Sequence, residues 1–225
     1  MPTRVVSIIG SLAGDAALAA AAQLGSTCVV EGGEPEPLPK GVVRKVILRR
    51  GGIVEYRATD ADPLSLVMGS EGCEHAILVG LTSPLALRIL AVRGDEEARE
   101  LVDDLTVAVT SSGEVNVEGV KFVPMGELGE FIAGLPIYPA WLNCGECGFK
   151  TCFDYLKAAA RGEDVFCPPG EPKPTTLKVN GRPVGLVRFV ERQLRELALA
   201  YLRTLKGVPK DIKEVELRIR LTGDE

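Results

Sequence analysis

The chain has 225 residues, of which 46% are hydrophobic, so it is long and apolar enough for one substantial domain and a smaller one. No apolar run approaches the ~18 residues of a membrane span, and no basic and apolar signal segment opens the sequence, so we expect a soluble, cytoplasmic protein. The net charge of −5 is uneven: residues 1–135 carry −8, residues 136–174 carry −1 and residues 175–225 carry +4. An acidic body with a short basic tail argues against a nucleic-acid-binding protein.

Predicted strands alternate with predicted helices in residues 1–135. The strand Arg4–Ile9 ends at Gly10 and leads into the alanine-rich helix Ala16–Leu24, while Gly51-Gly52 separates two β-type runs as in a hairpin. Pro84–Val92 is compatible with a helix or a strand. Such alternation predicts a three-layer α/β domain around a largely parallel sheet. The other predicted elements are strands at Thr27–Val30, Ala76–Gly80 and Thr106–Thr110, an extended segment at Val115–Val123, and helices at Asp95–Leu105 and Glu127–Ala133.

The two ends of this domain carry a resemblance to a known family. The opening R-V-V-S-I-I-G and the closing pattern L-T-V-A-V-T-S with V-K-F-V-P-M-G-E-L-G-E-F-I-A-G-L resemble molybdopterin-guanine dinucleotide biosynthesis protein B (MobB). The resemblance implies a P-loop-NTPase-like fold and a role, with GTP, in maturation of molybdenum or tungsten cofactors. In that family the first loop is a Walker A motif, G-x4-G-K-[ST], which holds nucleotide phosphates.

The loop of this chain departs from that motif. Residues 10–17 read G-S-L-A-G-D-A-A, one residue shorter, with Asp15 where the lysine belongs and no hydroxyl after it to bind magnesium. Gly10, Ser11 and Gly14 are therefore the candidate cofactor-binding residues of a degenerate phosphate loop, and we do not expect GTP to bind. Binding of some nucleotide or anion at the helix N-terminus stays open beside a purely structural β–α turn.

Four of the six cysteines fall between Asn143 and Pro168. Cys144, Cys147, Cys152 and Cys167 have the spacing C-x2-C-x4-C-x14-C. Three thiolates in nine residues, with a fourth after one predicted helix (Phe153–Arg161), are the usual arrangement for capping the corners of a cubane iron–sulfur cluster. Glycines between them let the backbone turn tightly toward the cluster. These four cysteines are the predicted metal ligands.

This stretch also resembles a known module. The pattern C-G-x-C-G-x3-C-x2-[aromatic]-x6-G-x4-C-P is similar to the cluster domain of the corrinoid iron–sulfur proteins, the acetyl-CoA decarbonylase/synthase gamma subunit and the B subunit of the Rnf complex. The resemblance implies that Cys144, Cys147, Cys152 and Cys167 bind a [4Fe-4S] cluster. Residues 136–174 form the predicted cluster module, and Trp141 is expected either to shield the cluster from water or to pack between domains.

Three alternatives compete at these cysteines. A four-cysteine zinc site uses the same ligands but more often has two C-x2-C pairs. Disulfides need an oxidising compartment. A catalytic thiolate needs a base, yet the only histidine, His75, is distant in sequence. The remaining Cys28 and Cys73 are expected to be free core thiols.

Residues 175–225 predict a small α+β unit. Asn180-Gly181 indicates a type I′ hairpin between Thr176–Val179 and Arg182–Val184. The amphipathic helix Leu186–Lys206 is expected to bury one side, and Val215–Leu221 to form a final strand beside the hairpin.

Together these features favour a non-catalytic [4Fe-4S] protein that relays electrons to, or assists maturation of, a molybdenum or tungsten enzyme, with that enzyme as its protein partner. The alternatives are a GTP-dependent accessory of molybdopterin guanine dinucleotide biosynthesis and a structural adaptor whose cluster only folds the loop.

Overall fold

The computed structural model describes residues 4–31, 44–49, 52–57, 73–171, 173–180 and 182–220. The chain divides into two compact units, Met1–Gly185 and Leu186–Glu225. The strands are β1 (Arg4–Ile9), β2 (Thr27–Glu31), β3 (Arg44–Arg49), β4 (Gly52–Arg57), β5 (His75–Val79), β6 (Leu87–Ala91), β7 (Thr106–Thr110), β8 (Lys121–Phe122), β9 (Leu177–Val179) and β10 (Arg182–Val184), and the helices are α1 (Ala13–Gln23), α2 (Asp95–Leu101), α3 (Leu128–Gly134), α4 (Cys152–Ala160) and α5 (Arg188–Leu202).

A six-stranded parallel sheet organises the first unit. Its strand order is β2-β5-β1-β6-β7-β8, so β1 lies in the interior between β5 and β6. The strands β1, β5 and β6 are apolar along almost their whole length because both faces of a parallel sheet are covered. The ambiguous segment 84–92 is therefore resolved as a strand, β6.

Helices cover both faces of this sheet. Val6 and Ile8 of β1 pack in one core cluster with residues of α1, α3 and α4, whereas Ile9 packs on the other face with Ala98 of α2. The predicted three-layer α/β fold is confirmed. Strands β3 and β4 pair antiparallel with Arg49 opposite Gly52, as expected for the hairpin predicted at Gly51-Gly52.

Helix α4 belongs to the core of the sheet domain. Its buried residues Tyr155, Leu156, Ala158 and Ala159 share a cluster with Ile8. The hydroxyl of Tyr155 also donates a hydrogen bond of 2.8 Å to the carbonyl of Ile137. The segment that carries the predicted metal ligands is thus built into the α/β domain.

Cys28 and Cys73 form a disulfide, so the expectation of free core thiols was wrong. Strand β2 pairs with β5 in a register that sets Thr27 opposite His75. Cys28 therefore lies beside the entry to β5, with its Cα 5.6 Å from that of Cys73, within the range that a disulfide spans. The sequence separation of 45 residues hides this proximity.

His75 is buried at the start of β5, with 8% of its surface exposed, and its Nδ1 has no hydrogen-bond partner in the described part of the chain. Burial lowers the pKa of His75 from its ordinary value, the positive charge of Arg4 on β1 lowers it further, and Glu74 acts in the opposite direction. The folded protein therefore resists protonation of this ring.

We expect this fold to lose stability on mild acidification. The unfolded chain protonates His75 below about pH 6.5, whereas the folded chain does so only at lower pH. The contribution of His75 is therefore complete above about pH 6.5 and is lost as the pH falls toward the folded pKa. Thermal melts from about pH 7.5 to about pH 5 should show a larger decrease for the wild type than for His75→Gln. Equal decreases would contradict this prediction.

The second unit contains α5, and its apolar face is not buried as expected. Phe189, Leu197 and Tyr201 are 68%, 71% and 69% exposed. The predicted hairpin is confirmed as the antiparallel pair β9 and β10, with Asn180 left-handed at φ 52°, and it lies in the first unit. A final strand was predicted at Val215–Leu221, and no strand forms within residues 215–220, the described part of that range. Among the described residues, no helix combines the length and apolarity that crossing a membrane requires.

Candidate metal centre

The loop before α4 turns on residues with left-handed backbone conformation. Asn143, Gly145 and Gly148 have φ values of 48°, 76° and 85°. The N–H of Gly148 donates to the carbonyl of Gly145 at 2.9 Å, which closes a tight turn around Cys147. Glycine takes this conformation without the cost that other residues incur, and asparagine is among the side chains that tolerate it best. The glycines of the cysteine motif are thus required by the path of the backbone.

Asn143 connects the two ends of this loop. Its Oδ1 accepts a hydrogen bond of 2.8 Å from the N–H of Cys152, nine residues later. Helix α4 then starts from a capping box, in which the Thr151 hydroxyl accepts from the N–H of Asp154 and the Asp154 carboxylate accepts from the N–H of Thr151. Cys152 is the first residue of α4 and lies at the positive end of the helix dipole, which favours a negative charge.

All four predicted ligands line one small cavity. Cys144 is exposed, Cys147 is partly buried, and Cys152 and Cys167 are buried. The set therefore extends from the protein surface into the core. Leu142, Phe149 and Pro169 supply apolar walls of the same cavity.

Close packing fixes the position of Cys167. A short 3₁₀ turn, Pro168–Gly170, follows it, and a Cβ added at Gly170 would lie 2.5 Å from the carbonyl oxygen of Tyr138 and 3.3 Å from the Cys167 sulfur. The N–H of Gly170 donates to the carbonyl of Cys167 at 2.9 Å, and the backbone groups of Ala140 and Gly170 also act on the Cys167 thiol by lowering its pKa. Amide hydrogen bonds to sulfur are the kind of outer contact that orients a thiolate ligand and tunes a cluster.

The electrostatics of the cavity favour a bound cation. Burial raises the pKa of the Cys167 thiol, the hydrogen bonds from Ala140 and Gly170 lower it, and the neighbouring Cys147 and Cys152 raise it again. Burial and the charges of Cys167, Cys147 and Cys152 likewise raise the pKa of Tyr155. Several thiolates cannot gather here without positive charge, whereas a coordinated metal deprotonates a thiol outright.

The donor set fits an iron–sulfur cluster better than acid–base or nucleophilic chemistry. All four candidate side chains are thiols, and the only histidine, His75, lies on β5 outside the cavity lining. Within the described ranges, no three His, Cys, Asp or Glu side chains are placed so that they could hold a metal ion as they stand. The assignment of the four cysteines as ligands stays a prediction.

Trp141 packs in the core and is not among the residues that line the cysteine cavity. Its ring lies 5.9 Å from that of Tyr138, and its backbone is left-handed at φ 55°. Trp141 thus packs against the core of the first unit, and both expectations for it stay predictions.

The predicted phosphate loop is distant in sequence from the four cysteines and follows the carboxyl end of β1. Gly10 follows the strand, Ser11 lies in the turn, and Gly14 lies in the first turn of α1. Ser11 contacts Glu97 of α2, a residue that the sequence did not single out because it lies 86 positions away. The three predicted loop residues are thus adjacent, but the donors of Ser11 already have an acceptor.

Comparison with known proteins finds matches to the cysteine segment and to a longer region of the chain. Residues 142–169 match a family described as "Putative Fe-S cluster". A protein of Methanocaldococcus jannaschii named "Putative molybdopterin-guanine dinucleotide biosynthesis adapter protein" is 30% identical over 160 residues, which cover 68% of this chain and 64% of that protein. This chain therefore spans less than two thirds of that relative.

Two solved structures are also similar. A MobB protein homologue from Bacillus stearothermophilus covers 57% of this chain and 92% of its own, at 15% identity and a TM-score of 0.41. A molybdopterin-guanine biosynthesis protein B covers 58% and 99%, at 18% identity and a TM-score of 0.44. The two sequence matches alone bear out the predicted recognition: a MobB-like segment is joined to a segment that matches an iron–sulfur family.

Proposed function

We propose that this chain, in which a MobB-like α/β domain carries an iron–sulfur module, is a non-catalytic [4Fe-4S] accessory protein of a molybdenum or tungsten enzyme that depends on a molybdopterin cofactor. The observation that carries the proposal is the convergence of Cys144, Cys147, Cys152 and Cys167 on one cavity, inside the segment that matches an iron–sulfur family.

Each part of the cavity has a role in holding the cluster. The four thiolates would each bind one iron of the cluster, the amides near Cys167 would offset negative charge on sulfur, and the apolar walls would exclude water. A bound cluster supplies one-electron transfer, with a potential set by these hydrogen bonds and by solvent exposure. Because Cys144 is exposed, electrons would enter or leave at its end of the cavity.

The molybdenum connection rests on the relative from Methanocaldococcus jannaschii, whose name assigns it to molybdopterin-guanine dinucleotide biosynthesis. The similar region covers most of this chain, but only part of that protein. We propose the same cellular setting here, with maturation of the enzyme or electron relay to it as the two forms of the role.

The cofactor is tested by metal analysis and electron paramagnetic resonance after anaerobic purification. We expect about four iron atoms per chain, absorption near 400 nm and a spectrum of a reduced cubane cluster. One zinc ion per chain without iron would contradict the proposal. A cluster that resists reduction at accessible potentials would instead favour a structural adaptor.

The cellular role is tested by deleting the gene in its source organism. We expect loss of activity of a molybdenum or tungsten enzyme, restored by the wild-type gene and not by a Cys147→Ser gene. An inactive enzyme that lacks its pterin dinucleotide would indicate maturation, and one that contains it would indicate electron relay. Unchanged activity of these enzymes would contradict the proposal.

A further inference from the structure

The loop after β1 lies where α/β proteins usually bind ligands. Strands β2 and β5 lie on one side of β1, and strands β6, β7 and β8 lie on the other. Strand β1 is therefore the point at which the chain switches from one half of the sheet to the other. Crevices at the carboxyl ends of such strands are the common ligand sites of open parallel sheets. The resemblance to MobB implies a nucleotide phosphate at this loop, held by backbone N–H groups.

In this chain those N–H groups are already occupied by protein acceptors. The N–H of Ser11 donates to Oε1 of Glu97 at 2.6 Å, that of Leu12 to the carbonyl of Ala91 at 2.9 Å, and that of Ala13 to the carbonyl of Gly10 at 3.1 Å. Three successive donors of the loop are therefore satisfied within the fold, and a phosphate would have to displace their partners.

Glu97 presents its carboxylate to this loop as an anion would. Besides the backbone bond, the Ser11 hydroxyl donates to its Oε2 at 2.8 Å, and the N–H of Arg93 donates to the same oxygen at 3.0 Å. The hydrogen bond from Arg93 is the main cause that lowers the pKa of Glu97, burial raises it to a smaller extent, and the Ser11 bonds lower it further, so the group is negatively charged.

The side of the loop that faces β6 is closely packed, and a further negative charge lies in the turn that follows. Gly10 has φ 111°, and a Cβ added to it would lie only 2.4 Å from the Ala91 carbonyl oxygen, so the loop lies directly against the end of β6. Asp15 adds a second negative charge in the first turn of α1. The negative charges of Glu97 and Asp15 disagree with a bound nucleoside triphosphate.

We infer that the carboxylate of Glu97 is the permanent anion of this loop, so that the MobB-like domain binds no nucleotide there and has become the carrier of the cysteine module. Glu97 takes the backbone N–H and the hydroxyl of Ser11, while the N–H groups of Leu12 and Ala13 donate to the carbonyls of Ala91 and Gly10. This inference is independent of the identity of the metal centre.

Thermal melts in chloride and in inorganic phosphate test this inference with the full chain. The variants are Glu97→Ala and, as a matched control, Glu96→Ala, whose exposed carboxylate lies in the same helix turn. In chloride we expect Glu97→Ala to melt about 5 °C lower than the control, because Ser11 loses its acceptor. Phosphate should restore most of this loss in Glu97→Ala, while the wild type and the control change only by the general salt effect.

Three results would overturn the inference. Equal melting of Glu97→Ala and the control, or no phosphate-specific recovery in Glu97→Ala, would show that the carboxylate is not the anion of the loop. A rise of the wild-type melting temperature with Mg-GTP that exceeds the rise in Ser11→Ala would show that the loop is open to nucleotide. If Glu97→Ala does not fold, Glu97→Gln keeps the size of the side chain and allows the same comparison.

Discussion

Replacing Cys147 by serine should abolish the iron chromophore and lower iron from about four atoms to less than one per chain. Cys147 lies in the turn between Gly145 and Gly148, where the backbone is held in a left-handed conformation on both sides. Metal ligation supplies folding free energy that such a loop otherwise lacks. We therefore also expect a lower melting temperature and earlier proteolysis within residues 143–168, measured by anaerobic iron analysis, absorption near 400 nm and limited proteolysis.

The matched control is the double replacement of Cys28 and Cys73 by serine. These cysteines form a disulfide on the sheet, outside the cavity lining, so their loss should cost ~2–5 kcal/mol of stability but leave the iron content unchanged. Four iron atoms retained in Cys147→Ser, or iron lost from the control, would refute the ligand assignment.

The second large effect is expected from Leu156→Ala. Leu156 is 2% exposed and packs from α4 into the main core beside the sheet. Removing it should lower the free energy of unfolding by ~2–5 kcal/mol through lost burial and the cavity left behind. Since α4 also carries Cys152, the chromophore and the circular dichroism of the sheet should disappear together in one transition at a lower temperature.

Phe153→Ala is the control for this prediction, because Phe153 lies three residues before Leu156 in the same helix and is 39% exposed. We expect a change of less than about 1 kcal/mol there. A Leu156→Ala protein that loses its chromophore while the sheet melts at the wild-type temperature would show that the cysteine module folds independently of the α/β domain.

Helix α4 joins the cysteine segment to the α/β domain, because its buried residues pack in the core of the sheet. The buried faces of Tyr155 and Leu156 fix the helix on the sheet, and the Asn143 bond to Cys152 fixes the loop on the helix. Gly170, packed against the Tyr138 carbonyl, fixes the return of Cys167. The geometry of the cysteines is thus set by the α/β domain, which agrees with the proposed role of that domain as the carrier of the cysteine module.

Local patterns in the sequence predicted most elements of the sheet domain and a candidate metal centre. Alternating β-branched and alanine-rich segments predicted the strands and helices of the sheet domain, and the spacing of four cysteines with their glycines predicted the candidate metal centre. Asp15 in place of a lysine predicted a loop unsuited to triphosphate. These features depend on residues within a few positions of each other, whose preferences survive in the folded chain.

Only the tertiary structure decided which distant residues meet. The strand order places Cys28 beside Cys73, the packing of α2 brings Glu97 to Ser11, and the core receives α4. The exposed face of α5 was wrongly expected to be buried, because an amphipathic pattern states which side is apolar and not whether another element covers it. Contacts between segments far apart in sequence come from the global packing of the chain. A short stretch of residues carries no information on that packing, so these contacts could not be predicted from local patterns.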